Sequence, residues 1–382
     1  MPIYLDYHAH SPLDPRVLDA FFSACCLFDA NPHSTHLHGS VAHKAVEDGR
    51  IKVGSLLGAK PSEIVFTSGA TEANNLALFG LEHFFREQGR KRVAVSSIEH
   101  PSILEAAAAL GKRGFIVDIL PVDRYGLIDL AVASKLITHE TGIVSVSGAN
   151  HEIGVIQPIE KISAIARASG AMFHSDLAQL AGKYPISLDA LDLASLSGHK
   201  LCGPGGIGAL YVRRLIKPKM KPLLIGGGQE SGVRSGTVPT ALCVAFGEAC
   251  TIAAKEMASE SLRVAKLRNH LLEQLLKLPG SEVNGAIDVR LPGNINIRFD
   301  GVDGEALAFS LQSHISISTG SACNAKSLEP SAVLLAMGLT KPQAESSVRI
   351  GVGRFTTQEE IDKAATAMCA AVMELRAIRS RL

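Results

Sequence analysis

The run Ala194-Ser195-Leu196-Ser197-Gly198-His199-Lys200 closes a short apolar segment with small and polar residues and then a lysine. An amine in that setting forms a Schiff base with an aldehyde when its surroundings hold it neutral. Asp176 lies 24 residues earlier, after a second β-like run, Ala171-Met172-Phe173, where a carboxylate can pair with a protonated ring nitrogen. A lysine and a pyridinium partner are the usual protein share of a pyridoxal phosphate (PLP) site. A surface lysine and a helix-capping aspartate look the same in isolation, so the rest of the chain has to decide.

A phosphate needs an anion site. Glu63–Thr67 reads as a strand, and Ser68-Gly69-Ala70-Thr71-Glu72 opens a helix whose first N–H groups and dipole favour an anion. Gly203-Pro204-Gly205-Gly206-Ile207-Gly208 matches the dinucleotide glycine pattern, but a strand follows it where that fingerprint requires a helix, so a nicotinamide site is rejected. His100 follows the strand Arg92–Ser96, where an imidazole can stack on a flat cofactor or move protons; it would equally cap the helix that starts at Pro101. Cys323 sits in the small, polar stretch Ser318–Ser331, unlike Cys243, Cys250 and Cys369, which read as helix-core residues. The thiolate is the nucleophile, so such a cysteine is a candidate for covalent sulfur chemistry. Arg349, on a short strand, can clamp a carboxylate at two points. His8, His10, His33, His36 and His38 invite a metal reading, but they lack the helical i, i+4 pairing and an interleaved carboxylate, so no metal is expected there.

These groups need a scaffold. Between residues 60 and 235, short β-branched runs (Glu63–Thr67, Arg92–Ser96, Phe115–Leu120, Gly142–Ser147, Ala171–His174, Leu193–Leu196, Gly208–Val212) alternate with amphipathic helical stretches. Such alternation implies parallel strands with crossover helices on both faces, and ligands bind beyond the strand C-termini. The expected fold is α/β, a three-layer large domain with a smaller α+β domain. The boundaries fall at 1–15 for a segment joining the small domain, 16–255 for the large domain and 256–382 for the small one. A long helix or helix pair over Thr237–Leu278 connects the two lobes. The 382 residues are 46% apolar and 20% charged, with a net charge of +1. That balance gives no reason to expect direct nucleic-acid or membrane binding. Met1–Asp6 has no signal-peptide character, and the helices carry charges throughout. Seven cysteines without a CxxC pair favour a reducing, cytoplasmic setting.

Taken in order, the blocks Thr67-Ser68-Gly69-Ala70-Thr71-Glu72, Ser197-Gly198-His199-Lys200, Arg234-Ser235-Gly236-Thr237 and Gly320-Ser321-Ala322-Cys323 resemble the cysteine desulfurases of the NifS/IscS type. These are fold-type I PLP enzymes of the class V aminotransferase group, with an aspartate aminotransferase-like fold. The resemblance runs nearly end to end. It implies that Lys200 carries the cofactor, that Asp176 pairs with its ring nitrogen and that Gln179 touches the ring oxygen. His100 would stack on the ring and transfer protons. Ala70, Thr71, Ser197 and His199 would hold the phosphate, with Thr237 contributed by the other subunit of a homodimer. Asn31 and Arg349 would hold the carboxylate of L-cysteine. Cys323 would attack its sulfur, leaving L-alanine and a persulfide for an acceptor in iron–sulfur cluster assembly or in tRNA or DNA thiolation. Cys323 would also be available as a transient iron–sulfur ligand. The group's other chemistries, transamination and selenocysteine lysis, would keep Lys200 and Asp176 without needing Cys323.

Departures from the family pattern bear on the site. His151 stands in Asn150-His151-Glu152 where relatives have a second asparagine near the ring oxygen, and a histidine there can still donate a hydrogen bond. Ala9-His10-Ser11 replaces the family's Ala-Thr-Thr, and Gly205 lies where a lysine is common. The sequence ends at Leu382, short of the tail with which relatives dock a scaffold protein, which leaves room for a specialised acceptor.

Overall fold

The computed structural model describes residues 2–320 and 330–380. The N-terminal half runs β1 (Ile3–Tyr4), α1 (Pro15–Leu27), α2 (Leu37–Leu57), β2 (Ile64–Thr67), α3 (Ala70–Phe79), α4 (Glu82–Glu87), β3 (Arg92–Ser96), α5 (Pro101–Lys112), β4 (Ile116–Leu120), α6 (Leu130–Leu136), β5 (Thr141–Ser145), α7 (Ile159–Ala168), β6 (Met172–Asp176), β7 (Leu193–Ser197) and β8 (Gly208–Val212). The remainder is α8 (Thr240–Leu275), β9 (Ser281–Val283), β10 (Asn294–Phe299), α9 (Gly304–Leu311), β11 (Ile315–Ser316), α10 (Ala332–Ala336), α11 (Lys341–Glu345), β12 (Ser347–Gly351) and α12 (Gln358–Arg379).

Strands β2 through β8 form one sheet in the order β2-β8-β7-β6-β5-β3-β4. Alternate side chains of each strand enter different layers. Ile64 and Phe66 of β2, with Ala209 and Tyr211 of β8, pack among residues of α2, α7 and α8. Val65, Leu210 and Val212 point the other way, among residues of α3 and α5. That is the three-layer arrangement expected. One expectation needs correction: β8 runs antiparallel to both β2 and β7, so the sheet is mixed. The turn through Gly203–Gly208 reverses the chain and lays β8 back along β7, with no crossover helix between them. Gly208 in this turn and Gly198 ahead of it are needed for close approach. A Cβ on Gly208 would lie 2.6 Å from Gly69 Cα, and one on Gly198 would lie 2.7 Å from Pro204 O.

A second core joins β10, β12, α9, α12 and the C-terminal half of α8. The helix α8 therefore serves both cores. Its residues up to Ala253 pack with the large sheet, and those from Val264 onward pack with the smaller one. The N-terminal residues belong with the smaller unit. Ile3 and Tyr4 pair in parallel with Ile315 and Ser316, and Leu5 is buried in the second core. Residues 6–11 then cross to the large unit, where Ser11 N–H donates to His199 O at 3.0 Å.

Candidate active site

The C-terminal ends of β2, β3, β6 and β7 open into one cavity of about 430 Å³. The structure brings Ala70, Thr71, His100, His151, Asp176, Gln179, Ser197, His199, Lys200 and Arg349 to its wall. Two expected residues lie outside it. Asn31 is exposed, and its side-chain oxygen accepts the His33 N–H at 3.0 Å. Thr237 is exposed on the surface of this chain. Cys323 lies outside the described residues. The residues bracketing its segment meet beside the cavity: a Cβ on Gly320 would lie 2.4 Å from Glu152 Oε2, and Ser331 Oγ donates to that same oxygen at 2.5 Å. Glu152 follows His151 directly.

At one end of the cavity α3 begins without a side-chain cap, its N-cap being Gly69. The first N–H groups of a helix have no intrahelical acceptor and favour an anion. Ser197 Oγ and His199 Nδ1, 2.8 Å apart, line the same cavity. Burial pulls the His199 imidazole down to about 4, so it faces the cavity neutral. Its ring stacks on His10 with centroids 5.3 Å apart.

Asp176 is held by two donors. Asn74 Nδ2 donates to Oδ2 at 2.7 Å, and Ala178 N–H donates to Oδ1 at 2.9 Å. Asn74 also donates to Ser102 Oγ at 2.8 Å, which is itself 2.8 Å from His100 Nδ1. Ser102 N–H donates to His100 Nδ1 at 3.1 Å. That nitrogen is thus an acceptor, and the proton of the neutral ring sits on Nε2. Burial lowers the His100 imidazole below its ordinary value. His100 therefore does both things its position allowed: it caps α5 and lines the cavity. Its ring meets His151 edge-on at 5.2 Å. Burial drives His151 well below the ordinary imidazole range, so the ring that replaces an asparagine is uncharged.

Lys200 Nζ donates to His8 O at 2.5 Å and Ala9 O at 2.6 Å. Gln179 Nε2 donates to the same His8 oxygen at 2.9 Å, which fixes Gln179 Oε1 as acceptor for His8 Nδ1 at 3.2 Å. His8 is thereby set as the Nδ1–H tautomer. Arg349 is buried; Nη2 donates to Asp6 Oδ1 at 2.9 Å and Nη1 to His151 O at 3.0 Å. Ser318 Oγ completes this corner on Asp6 Oδ2 at 2.5 Å.

Sequence reasoning missed Asn74, Ser102 and Asp6 as parts of this site, and it took His8 only as one of several histidines in polar loops near an active site. Asn74 is one helical turn after Ala70, a spacing that could have marked it as facing the same way. Asp6 and His8 carry no local signal, because their partners are 343 and 171 residues away in the chain.

Glu99 sits beneath the cavity, fully enclosed. Ser147 N–H donates to its Oε1 at 2.8 Å and Ser147 Oγ lies 2.5 Å from Oε2. Burial pushes its carboxyl up to about 8. The folded chain keeps this proton to about that pH, whereas the unfolded chain loses it near about 4.3. Stability from this group is therefore present at low pH and lost as pH rises between those values. Glu99→Gln preserves both contacts and cannot ionise. Its stability relative to the wild type, measured by urea denaturation, is expected to rise by on the order of 1 kcal/mol or more from about pH 4 to about pH 8. A difference that stays constant with pH would contradict this protonation state.

The groups lining the cavity fit PLP. An uncapped helix start with a hydroxyl and an imidazole beside it suits a phosphate, a buried carboxylate suits a pyridinium nitrogen, and an amine suits an aldehyde. Comparison with known proteins gives the same direction. The Aminotransferase class-V profile matches residues 3–364. The chain is 45% identical to the cysteine desulfurase IscS of Rickettsia bellii over 384 aligned positions, covering 98% of this chain and 92% of the relative. Its fold superposes on a solved NifS-like protein with a TM-score of 0.90 at 34% identity over the whole of both chains. It also superposes on SspA, solved in complex with cysteine, with a TM-score of 0.82 at 36% identity, covering 93% of this chain and all of the other.

Proposed function

We infer, on the premise that the chain belongs to the aminotransferase class-V family and within it to the cysteine desulfurases, that its cavity holds PLP and that sulfur from L-cysteine passes to Cys323. The products are L-alanine and a persulfide on that cysteine. The observation that supports the reading most is the meeting of Lys200, Asp176 and the uncapped start of α3 in one cavity. The NifS-like fold and the cysteine in the SspA complex agree with it.

Bound there, the cofactor would supply an electron sink for the α-carbon of an amino acid. Lys200 would carry it and, once released, move the α-proton. Asp176, its two oxygens oriented by Asn74 and Ala178, would hold a proton on the ring nitrogen. His100 would exchange a proton through Nε2, the nitrogen that Ser102 leaves protonated. His151 and Gln179 would face the ring oxygen. Ala70, Thr71, Ser197 and His199 would cradle the phosphate. Arg349 would take the substrate carboxylate, held in place by Asp6.

The homodimer belongs to this proposal, with Thr237 completing the phosphate cradle of a second copy. So do residence in the cytoplasm and an acceptor in iron–sulfur assembly or in nucleoside or DNA thiolation. We place the domain boundaries after residues 15 and 255, a division supported by the change of core along α8.

Purified protein is expected to show a visible absorbance band that borohydride abolishes, with the reduced label mapped to Lys200 by peptide mass spectrometry. L-Cysteine should yield alanine mole for mole with transferred sulfur. A label on another lysine, or no reducible band, would overturn the reading.

A further inference from the structure

Behind Lys200 lies a second, separate cavity of about 40 Å³, between the turn that carries Lys200 and the segment that follows β6. Lys183 and Cys202 both line it. The two segments are pressed together: a Cβ on Gly182 would lie 2.5 Å from Leu201 Cδ2. Lys183 Nζ is shut off from solvent and has no hydrogen-bond partner among the described residues. An unpaired buried amine is costly and calls for an explanation. The charged neighbours do not provide one, because they satisfy each other. Arg354 donates to Glu260 at 2.7 Å and to Asp14 at 2.9 Å.

Cys202 is equally unusual. Its thiol is buried, and its backbone has φ 55°, a left-handed conformation rare outside glycine. Strain of this kind, about 1–3 kcal/mol, persists at sites with a function. Cys202 lies outside the apolar core that encloses Cys243 and Cys250. Among the described residues no second cysteine lines the cavity, so none of them offers Cys202 a disulfide partner there. The group that is available is the amine.

We propose that Lys183 and Cys202 form a reversible sulfur–nitrogen crosslink, a sulfenamide, when the protein meets hydrogen peroxide. In the first step the Cys202 thiol and one peroxide give a sulfenic acid and water, with the sulfur oxidised by two electrons as the peroxide O–O bond breaks. In the second step the lone pair of Lys183 Nζ attacks that sulfur. The S–N bond forms, the S–O bond breaks, and the hydroxyl leaves with a nitrogen proton as a second water. Sulfenic acids condense with a backbone nitrogen in this way, and a neutral amine is a stronger nucleophile than an amide nitrogen. Burial pulls the Lys183 amine down to about 8, which favours the neutral nucleophile of the second step, and it raises the Cys202 thiol above its ordinary value, so the first step is the slow one and sets the peroxide dose that the bridge needs. Two equivalents of a thiol reverse the bridge, returning amine and thiol and leaving a disulfide of the reductant. The crosslink fastens the turn of Lys200 to the segment after Asp176, two parts of the main cavity. The inference is independent of the activity proposed above.

The test uses the full-length protein exposed to hydrogen peroxide, with remaining thiols alkylated before tryptic digestion and mass spectrometry. The expected product joins the Lys183 and Cys202 peptides at a mass two hydrogens below their sum. Cleavage after Lys183 should be lost, and dithiothreitol should restore it. In Cys202→Ser the joined species should be absent; in Lys183→Arg Cys202 should stop at an oxyacid. Recovery of Cys202 from wild-type protein as free thiol, as an oxyacid beside an unmodified Lys183, or in a disulfide would overturn the proposal.

Discussion

Lys200→Ala is expected to lower sulfur release from L-cysteine by on the order of 10³-fold or more, because in the proposed function one side chain would both carry the cofactor and move the α-proton. The fold should tolerate the change. Lys200 is half-buried, and its bonds to His8 O and Ala9 O involve carbonyls, one of which Gln179 continues to engage. Far-UV circular dichroism should match the wild type while the borohydride-reducible band disappears. A variant that keeps more than about a tenth of wild-type turnover would remove Lys200 from the mechanism.

The second large effect separates sulfur transfer from the other chemistries of the family. Cys323→Ala is expected to reduce persulfide and sulfide formation from L-cysteine by about 10²-fold or more, since none of the described cysteines lines the main cavity and could replace it. The visible band should remain, because Lys200 and Asp176 are untouched. Undiminished sulfide output would instead favour a lyase or aminotransferase that needs no thiol, and the desulfurase reading would fall.

Much of the scaffold was legible because its strands are buried on both faces. Such strands read as short continuous apolar runs, and β3, β7 and β8 fall within a residue of where those runs lie. Direction was not legible. The residues of β8 are as apolar as those of β2 and β7 on either side of it, and only the reversal through Gly203–Gly208 turns it around. The site divides in the same way. Asp176 closes β6, and Lys200 and His100 follow β7 and β3, so the rule that ligands bind at strand C-termini located them together. Asp6 and His8 sit on an irregular segment after β1 whose role depends on contacts with the distant Arg349 and Gln179. Asn74 is a buried polar residue inside a helix, and its meaning depends on a carboxylate 102 positions away. Non-local pairing of this kind leaves no periodic trace.

One consequence concerns mechanics. α8 is an unbroken helix of 36 residues, about 54 Å long. It is rooted in the large core at one end and in the small core at the other. Bending such a spar means lengthening or breaking its ladder of backbone bonds, and it has neither proline nor a glycine pair in its span to ease a kink. A jaw-like swing of one lobe against the other is therefore stiff. Substrate entry has to rely on side chains and short connecting segments around the mouth, and those are the places where a change of amino acid would retune access without disturbing either lobe.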